Sequence, residues 1–173
     1  MDWQVGGTGS KAVGADNGSL VTPSLFYGKG FGDLPNALNW LKPLAITGIL
    51  GQQFRTSAGG DNALEWGFAV EYSTIYLQSD VKDIGLRAPF NRVIPLVEFS
   101  LETPEMGAGK WQTTGTINPG FIWSGKYCQF GVEAVIPLNS QTGSDVGVLA
   151  QLHFYLDDIF PKGIGRPLFG NSK

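Results

Sequence analysis

The stretch that most constrains the fold runs from Leu64 to Tyr72, because its side chains alternate without a break between two kinds. Every second position is bulky and apolar: Leu64, Trp66, Phe68, Val70 and Tyr72. The positions between them are acidic or very small: Glu65, Gly67, Ala69 and Glu71. Successive side chains of a strand point to opposite faces, so the run predicts a strand with one bulky apolar face and one small acidic face. Such a strand suits a barrel with lipid outside and a narrow interior filled by small and polar side chains.

The composition favours many short strands over helices. The 25 glycines and 10 prolines are spread through all 173 residues, which argues against a helical bundle. No apolar run approaches the roughly 18 residues that a membrane-spanning helix needs. We therefore predict a single all-β domain over residues 1–173. Its predicted form is an antiparallel up-and-down transmembrane β-barrel, with about eight strands in this chain.

The same alternation recurs in the other candidate strands. They cover residues 2–8, 20–31, 42–55, 64–77, 92–103, 113–124, 127–138 and 146–156, followed by a tail over 157–173. Pro23 and Pro95 fall within two of these runs, where each would remove a backbone donor. The apolar face carries no Lys, Arg, Asp or Glu except Lys29, which lies between two glycines that permit a bulge.

The alternation assigns side chains to the inside and the outside of the predicted barrel. The predicted lumen-lining residues are Glu65, Glu71, Glu98, Glu102, Glu133, Arg55, Gln129, Gln151 and His153. The predicted lipid-facing residues are Trp66, Phe68, Tyr72, Phe99, Phe121, Trp123, Phe130, Leu152 and Phe154.

The inward acids outnumber their inward cationic partners, for which Arg55 and Arg92 are the candidates. An unpaired buried carboxylate costs several kcal/mol or stays protonated. A wider barrel would solvate these acids and attract cations. We therefore predict a passive path for cations or small polar solutes if the assembly is open, and a plugged structural barrel if eight strands close alone.

The sequence offers little for catalysis or metal binding. Cys128 and His153 are the only cysteine and the only histidine, which excludes a disulfide within these residues and zinc sites built on paired histidines or several cysteines. His153, with a neighbouring hydroxyl or carboxylate, could serve a membrane-embedded hydrolase or acyltransferase, or it could simply hydrogen-bond in the lumen. The inward acids could act in glycoside hydrolysis, or they could be solvated or paired with Arg55 and Arg92. We predict no enzyme activity, no cofactor and no metal.

Several segments resemble a known group of membrane proteins. Phe26–Pro35, Phe90–Phe99, Ile117–Gly120 and Gln151–Pro161 are similar to bacterial outer-membrane barrel proteins described as transporter-like, in the group named for a phenol-degradation (meta-pathway) gene neighbourhood. The resemblance implies a barrel in the outer membrane of a Gram-negative bacterium, and it implies no catalytic residues. Members of the group are usually longer at the N-terminus, so this chain resembles their C-terminal part. Met1–Trp3 shows no signal peptide, so we expect either a mature chain or missing upstream sequence.

The predicted function is therefore a passive channel, a transporter-like protein or a structural membrane protein with an acidic, polar lumen. Its predicted partners are membrane lipid and a small polar or cationic solute. A net charge of −3 gives no electrostatic reason to expect nucleic acid. The alternative is a soluble β-barrel or sandwich that binds a small apolar ligand, with the apolar face as its core.

Overall fold

The computed structural model describes residues 1–4, 18–56, 61–107 and 109–163, and just over half of them belong to one antiparallel sheet. Its nine strands are β1 (Asp2–Gln4), β2 (Leu20–Thr22), β3 (Ser24–Gly30), β4 (Leu44–Arg55), β5 (Ala63–Tyr72), β6 (Val93–Pro104), β7 (Thr114–Ser124), β8 (Cys128–Pro137) and β9 (Gly147–Phe154). The sheet curls into a half-barrel, which confirms the predicted antiparallel β class. Among the described residues, β1 pairs only with β2 and β9 only with β8, so the sheet is open at both edges.

Pro23 divides one predicted strand into two short ones. Val21 in β2 pairs with Phe54, and Leu25 in β3 pairs with Leu50, so both pieces keep one register along β4. Proline has no N–H to donate, but the Pro23 carbonyl still accepts a hydrogen bond from the Gln52 N–H, at 3.1 Å. Because β2 and β3 lie on one line, the half-barrel has eight strand lines.

Two predicted strands end earlier than the alternation indicates. The strand predicted over 64–77 stops at Tyr72, and helix α1 (Thr74–Tyr76) follows, continued by a π-helical segment (Leu77–Val81). The Ser73 hydroxyl caps α1 by accepting a hydrogen bond from the Tyr76 N–H, at 3.1 Å, and this cap favours helix over strand. The strand predicted over 146–156 ends at Phe154, before helix α2 (Leu156–Ile159).

Short helical segments also occupy two of the connections. They are 3₁₀ turns over Asn36–Leu41 and Phe90–Arg92. None of the helices in the described ranges is long and apolar enough to cross a membrane. Residues 5–8 of the first predicted strand and residues 164–173 of the predicted tail lie outside the described residues.

The strand register keeps the two kinds of side chain on opposite faces. Trp66 pairs with Leu50 on one side and Leu101 on the other, whereas Glu65 pairs with Gly51 and Glu102. The face that carries Trp66 is called the apolar face below, and the face that carries Glu65 is called the polar face. The registers from β3 to β9 preserve this division.

Exposure indicates which face lies inside the curl. Val97, Phe121 and Phe130 on the apolar face are 36%, 41% and 40% exposed, whereas Leu96 and Asn118 on the polar face are 6% and 5% exposed. The polar face is therefore the concave one in the interior strands. All strands within the described ranges belong to this one sheet, so no second sheet covers the apolar face there.

Candidate functional site

The register brings all the predicted lumen-lining residues onto the polar face. Glu65 and Glu102 are direct cross-strand partners, and Glu71 lies opposite Leu96. Arg55 is the last residue of β4, on the same face as Gly51, and Gln129 pairs with His153 at the other end of the sheet. The acids therefore share one surface, but they are distributed along it in separate groups.

The predicted lipid-facing residues all lie on the apolar face, where several of them make specific contacts. The rings of Phe68 and Phe99 stack with centroids 4.6 Å apart and planes 17° apart. The Trp66 indole N–H donates to the Thr103 hydroxyl at 3.1 Å. These contacts order the apolar face although it has no covering layer within the described residues.

Glu98, Asn118 and Glu133 form one polar group on the concave side, called the oxygen cluster below. Glu98 and Asn118 are direct cross-strand partners on β6 and β7. The Glu133 side chain extends from β8 over Gly120, where an added β-carbon would lie 2.4 Å from Glu133 Cγ. Gly120 is two residues from Asn118 on the same face, and the Glu98 charge acts on the Glu133 carboxylate. The three residues are thus neighbours on one face of three adjacent strands.

Two oxygen atoms of the oxygen cluster lack hydrogen-bond donors. Asn118 Oδ1 and Glu133 Oε2 are both buried and have no hydrogen-bond partner among the described residues. Most buried polar atoms in folded proteins are paired, with protein groups or with water. These two atoms therefore call for a donor, a water molecule or a cation.

Glu98 also lines a cavity on this part of the sheet. The cavity has a volume of about 370 Å³ and includes Phe26, Thr47, Gly67 and Ala69 among its lining residues. Gly67 and Ala69 leave room there because their side chains are absent or small. Of the three cluster residues, Glu98 therefore borders open space.

Arg92, one of the two candidate partners of the inward acids, forms no ion pair with a described acid. Its guanidinium Nη1 donates to the Ser124 carbonyl at 3.2 Å. The one ion pair between described residues joins Lys29 to Asp33, at 2.7 Å, at the end of β3. Arg55 lies on the polar face, four strands along the sheet from Glu133.

His153 and Cys128 lie on opposite faces of the β8–β9 pair. His153 lies opposite Gln129, whose side-chain oxygen accepts a hydrogen bond from the Tyr155 hydroxyl at 2.8 Å. Within the described residues, no serine, aspartate or glutamate is hydrogen-bonded to His153. Cys128 is a half-buried free thiol on the apolar face, opposite Phe154.

The predicted set of lumen-lining residues does not include Asn118, which belongs to the oxygen cluster. Its inward direction follows from the alternation of β7, but its place beside Glu98 depends on the register between β6 and β7.

Comparisons with protein-family models, curated proteins and solved structures found no match for this chain.

Proposed function

We propose that this chain forms part of a bacterial outer-membrane β-barrel, with the apolar face against lipid and the polar face around a lumen. The observation that carries the proposal is the continuous apolar face, which leaves large side chains uncovered across the convex side of the sheet. Tyr27, Leu152 and Phe154 are 51%, 55% and 60% exposed on this face, beside Phe121 and Phe130. Soluble monomers rarely expose an apolar patch of more than a few hundred Å².

The alternation along the strands supports the same proposal. Strands of membrane barrels alternate between apolar residues outside and polar residues inside. Most positions of the interior strands follow this division, with the stacked rings of Phe68 and Phe99 on the apolar face and Glu98 on the polar face. Leu96 and Ile122 are apolar residues on the polar face.

The proposal also requires that the sheet closes into a barrel. Backbone N–H and C=O groups cannot be left unpaired in lipid, so a sheet that crosses a membrane must close on itself. The edges at β1 and β9 would therefore be completed by further strands, from a longer chain or from a second copy. Either source gives a wider barrel than eight strands alone, and a wider barrel leaves room for water between the inward acids.

The activity that fits such a lumen is passive passage of cations or small polar solutes. The inward side chains include five glutamates: Glu65, Glu71, Glu98, Glu102 and Glu133. Acidic side chains around a narrow aqueous path raise the local concentration of cations and oppose anions. If the strands close without an open path, the barrel is a structural membrane protein.

Neighbouring positions on β7 test the orientation directly. Spin labels attached to Phe121→Cys and Ile122→Cys, in a Cys128→Ala background, report accessibility to oxygen and to a water-soluble nickel reagent. Phe121 lies on the apolar face and Ile122 on the polar face. In lipid vesicles, we expect the label at 121 to favour oxygen and the label at 122 to favour the nickel reagent. A chain that is monodisperse without detergent, with the label at 121 shielded from both reagents, would instead support a soluble module whose core is the apolar face.

Planar-bilayer recordings test whether cations pass through the lumen. We expect a cation preference that falls in Glu71→Gln and Glu98→Gln. An unchanged preference in both variants contradicts a role for these acids, and the absence of conductance in the parent protein leaves only the structural barrel.

A further inference from the structure

The oxygen cluster differs from an ordinary group of surface acids in its burial. Asn118 is 5% exposed, and its Oδ1 atom is buried with no hydrogen-bond partner among the described residues. This amide oxygen points to a binding site independently of the acids, because an amide has no charge to be neutralised by protonation. Leaving such an oxygen buried and unpaired destabilises the folded state.

The two carboxylates supply the charge that the amide lacks. Glu98 is the cross-strand partner of Asn118, and Glu133 reaches toward β7 over Gly120 with its Oε2 atom buried and unpaired. The described residues place no lysine or arginine side chain in an ion pair with either acid. A cation between the three side chains would satisfy both orphaned oxygens and reduce the repulsion between the two acids.

The donor set determines the kind of cation. All three groups offer oxygen, and Ca²⁺ takes about six to eight oxygen ligands from carboxylates, amide carbonyls and water. Soft transition metals prefer thiolate or imidazole ligands, which this cluster lacks. No group of three or more His, Cys, Asp and Glu side chains suited to a metal occurs in the described part of the chain. The three cluster side chains alone supply fewer oxygens than Ca²⁺ takes, so water would complete the coordination. The cavity beside Glu98 provides the space for that water.

From this geometry we propose that Glu98, Asn118 and Glu133 bind a hard divalent cation of the Ca²⁺ class on the concave face of the sheet. The inference rests on the proposed function to the extent that the lumen gives the cation access from water. The bound cation would bridge β6, β7 and β8, and it would form a discrete binding site along the acidic path.

Calorimetric titration of the folded, detergent-solubilised chain with CaCl₂ tests the site, with MgCl₂ and KCl as comparisons. We expect saturable Ca²⁺ binding at one site and a melting temperature that rises with Ca²⁺ concentration. Glu98→Gln and Glu133→Gln should each weaken binding at least about tenfold, the lower end of the loss seen when even the outer partners of metal ligands are changed. Asn118→Asp should strengthen it, because a third carboxylate replaces the amide.

Glu102→Gln is the matched control, since Glu102 lies on the same strand and face as Glu98 but pairs with Glu65 and Thr114. Because Glu102 adds only to the general negative field of the lumen, the Ca²⁺ affinity of this variant should fall far less than in Glu98→Gln and Glu133→Gln. Far-UV circular dichroism shows whether each variant keeps the sheet, and the Gln substitutions preserve side-chain size. The proposal is overturned if the folded parent binds neither Ca²⁺ nor Mg²⁺, or if Glu102→Gln weakens binding as much as Glu98→Gln and Glu133→Gln. One further result also overturns the proposal. The cation changes the melting temperature of neither the parent nor any variant, and the two Gln variants are more stable than the parent. A water molecule would then occupy the cluster.

The spin-label experiment separates this inference from the proposed function. A membrane orientation without Ca²⁺ binding leaves the barrel and removes the site. Ca²⁺ binding that depends on Glu98 and Glu133 in a detergent-free soluble chain leaves the site and removes the barrel.

Discussion

The carbonyl oxygen of Phe99 lies only 2.3 Å from the position that a β-carbon on Gly67 would occupy. Gly67 pairs with Ser100 near the middle of the sheet, so the neighbouring backbone cannot move aside without disturbing the β5–β6 ladder. The close approach requires glycine at this position and allows the sheet to curl toward its polar face.

Replacement of Gly67 by alanine should therefore destabilise the sheet. We expect Gly67→Ala to lower the free energy of unfolding by about 1–3 kcal/mol, the usual cost of overpacking. Equilibrium denaturant unfolding measures the change. Gly131→Ala is the control, because a β-carbon there would meet its nearest neighbour, Ile122 Cγ1, at an ordinary 3.6 Å. Equal losses in the two variants would contradict a specific clash at Gly67.

The stacked rings of Phe68 and Phe99 should be energetically coupled. A double-mutant cycle with Phe68→Leu and Phe99→Leu should give a coupling free energy of about 0.5–1.5 kcal/mol. A second cycle that joins Phe68→Leu to Phe130→Leu should show additivity within about 0.5 kcal/mol, because these residues lie on non-adjacent strands. Additivity in the first cycle would mean that the stacking contributes nothing to stability.

Thr103 should stabilise the apolar face through its hydroxyl. It accepts from the Trp66 indole at 3.1 Å and lies 2.9 Å from the Thr113 hydroxyl. Thr103→Val keeps the shape but removes the acceptor, so the free energy of unfolding should fall by about 1–3 kcal/mol. The exposed Thr47, changed to valine, should alter stability by less than about 0.5 kcal/mol. Matching effects in the two variants would show that the Thr103 hydrogen bonds carry no weight.

The ion pair between Lys29 and Asp33 makes a prediction about pH. The hydrogen bond from the Lys29 ammonium holds the pKa of the Asp33 carboxyl below its usual value of 3.8. A depressed folded-state pKa means that the stabilisation is present above the unfolded-state value and is lost as the pH falls through the folded-state value. NMR titration should therefore show the Asp33 pKa rising in Lys29→Met and staying low in Lys29→Arg. The opposite order would contradict the pairing.

The alternation of side chains predicted the antiparallel class and the two faces, because a strand has a period of two that its sequence displays directly. The run from Leu64 to Tyr72 is the clearest case, since its residues form one uninterrupted strand. Its continuation was predicted wrongly because Thr74 and Ile75 are β-branched and fit a strand equally well. The Ser73 cap was the local signal for the helix, and it needs only the Ser73 hydroxyl and the Tyr76 N–H.

The oxygen cluster could be predicted only in part. The inward direction of the Glu98 and Glu133 side chains follows from the alternation within their own strands. Their approach to Asn118 depends on how β6, β7 and β8 are aligned, and a shift of two residues in register would leave every side chain on its face but separate the three. Pro95 likewise did not indicate that β6 would be an interior strand, because proline in a sheet usually lies on an edge strand. In the structure, Pro95 pairs with Phe121 within the sheet.

The arrangement of the sheet as a single layer also affects how it comes apart. Every strand from β4 to β9 pairs with the strand next to it in sequence, so each is stabilised by nearest neighbours, as in a one-dimensional array. Such an array begins to unfold at its terminal strands. Its contacts form between nearby parts of the chain. Amide hydrogens of β5, β6 and β7 should exchange last with solvent, and those of β1 and β2, which are attached beyond the break at Pro23, should exchange among the first.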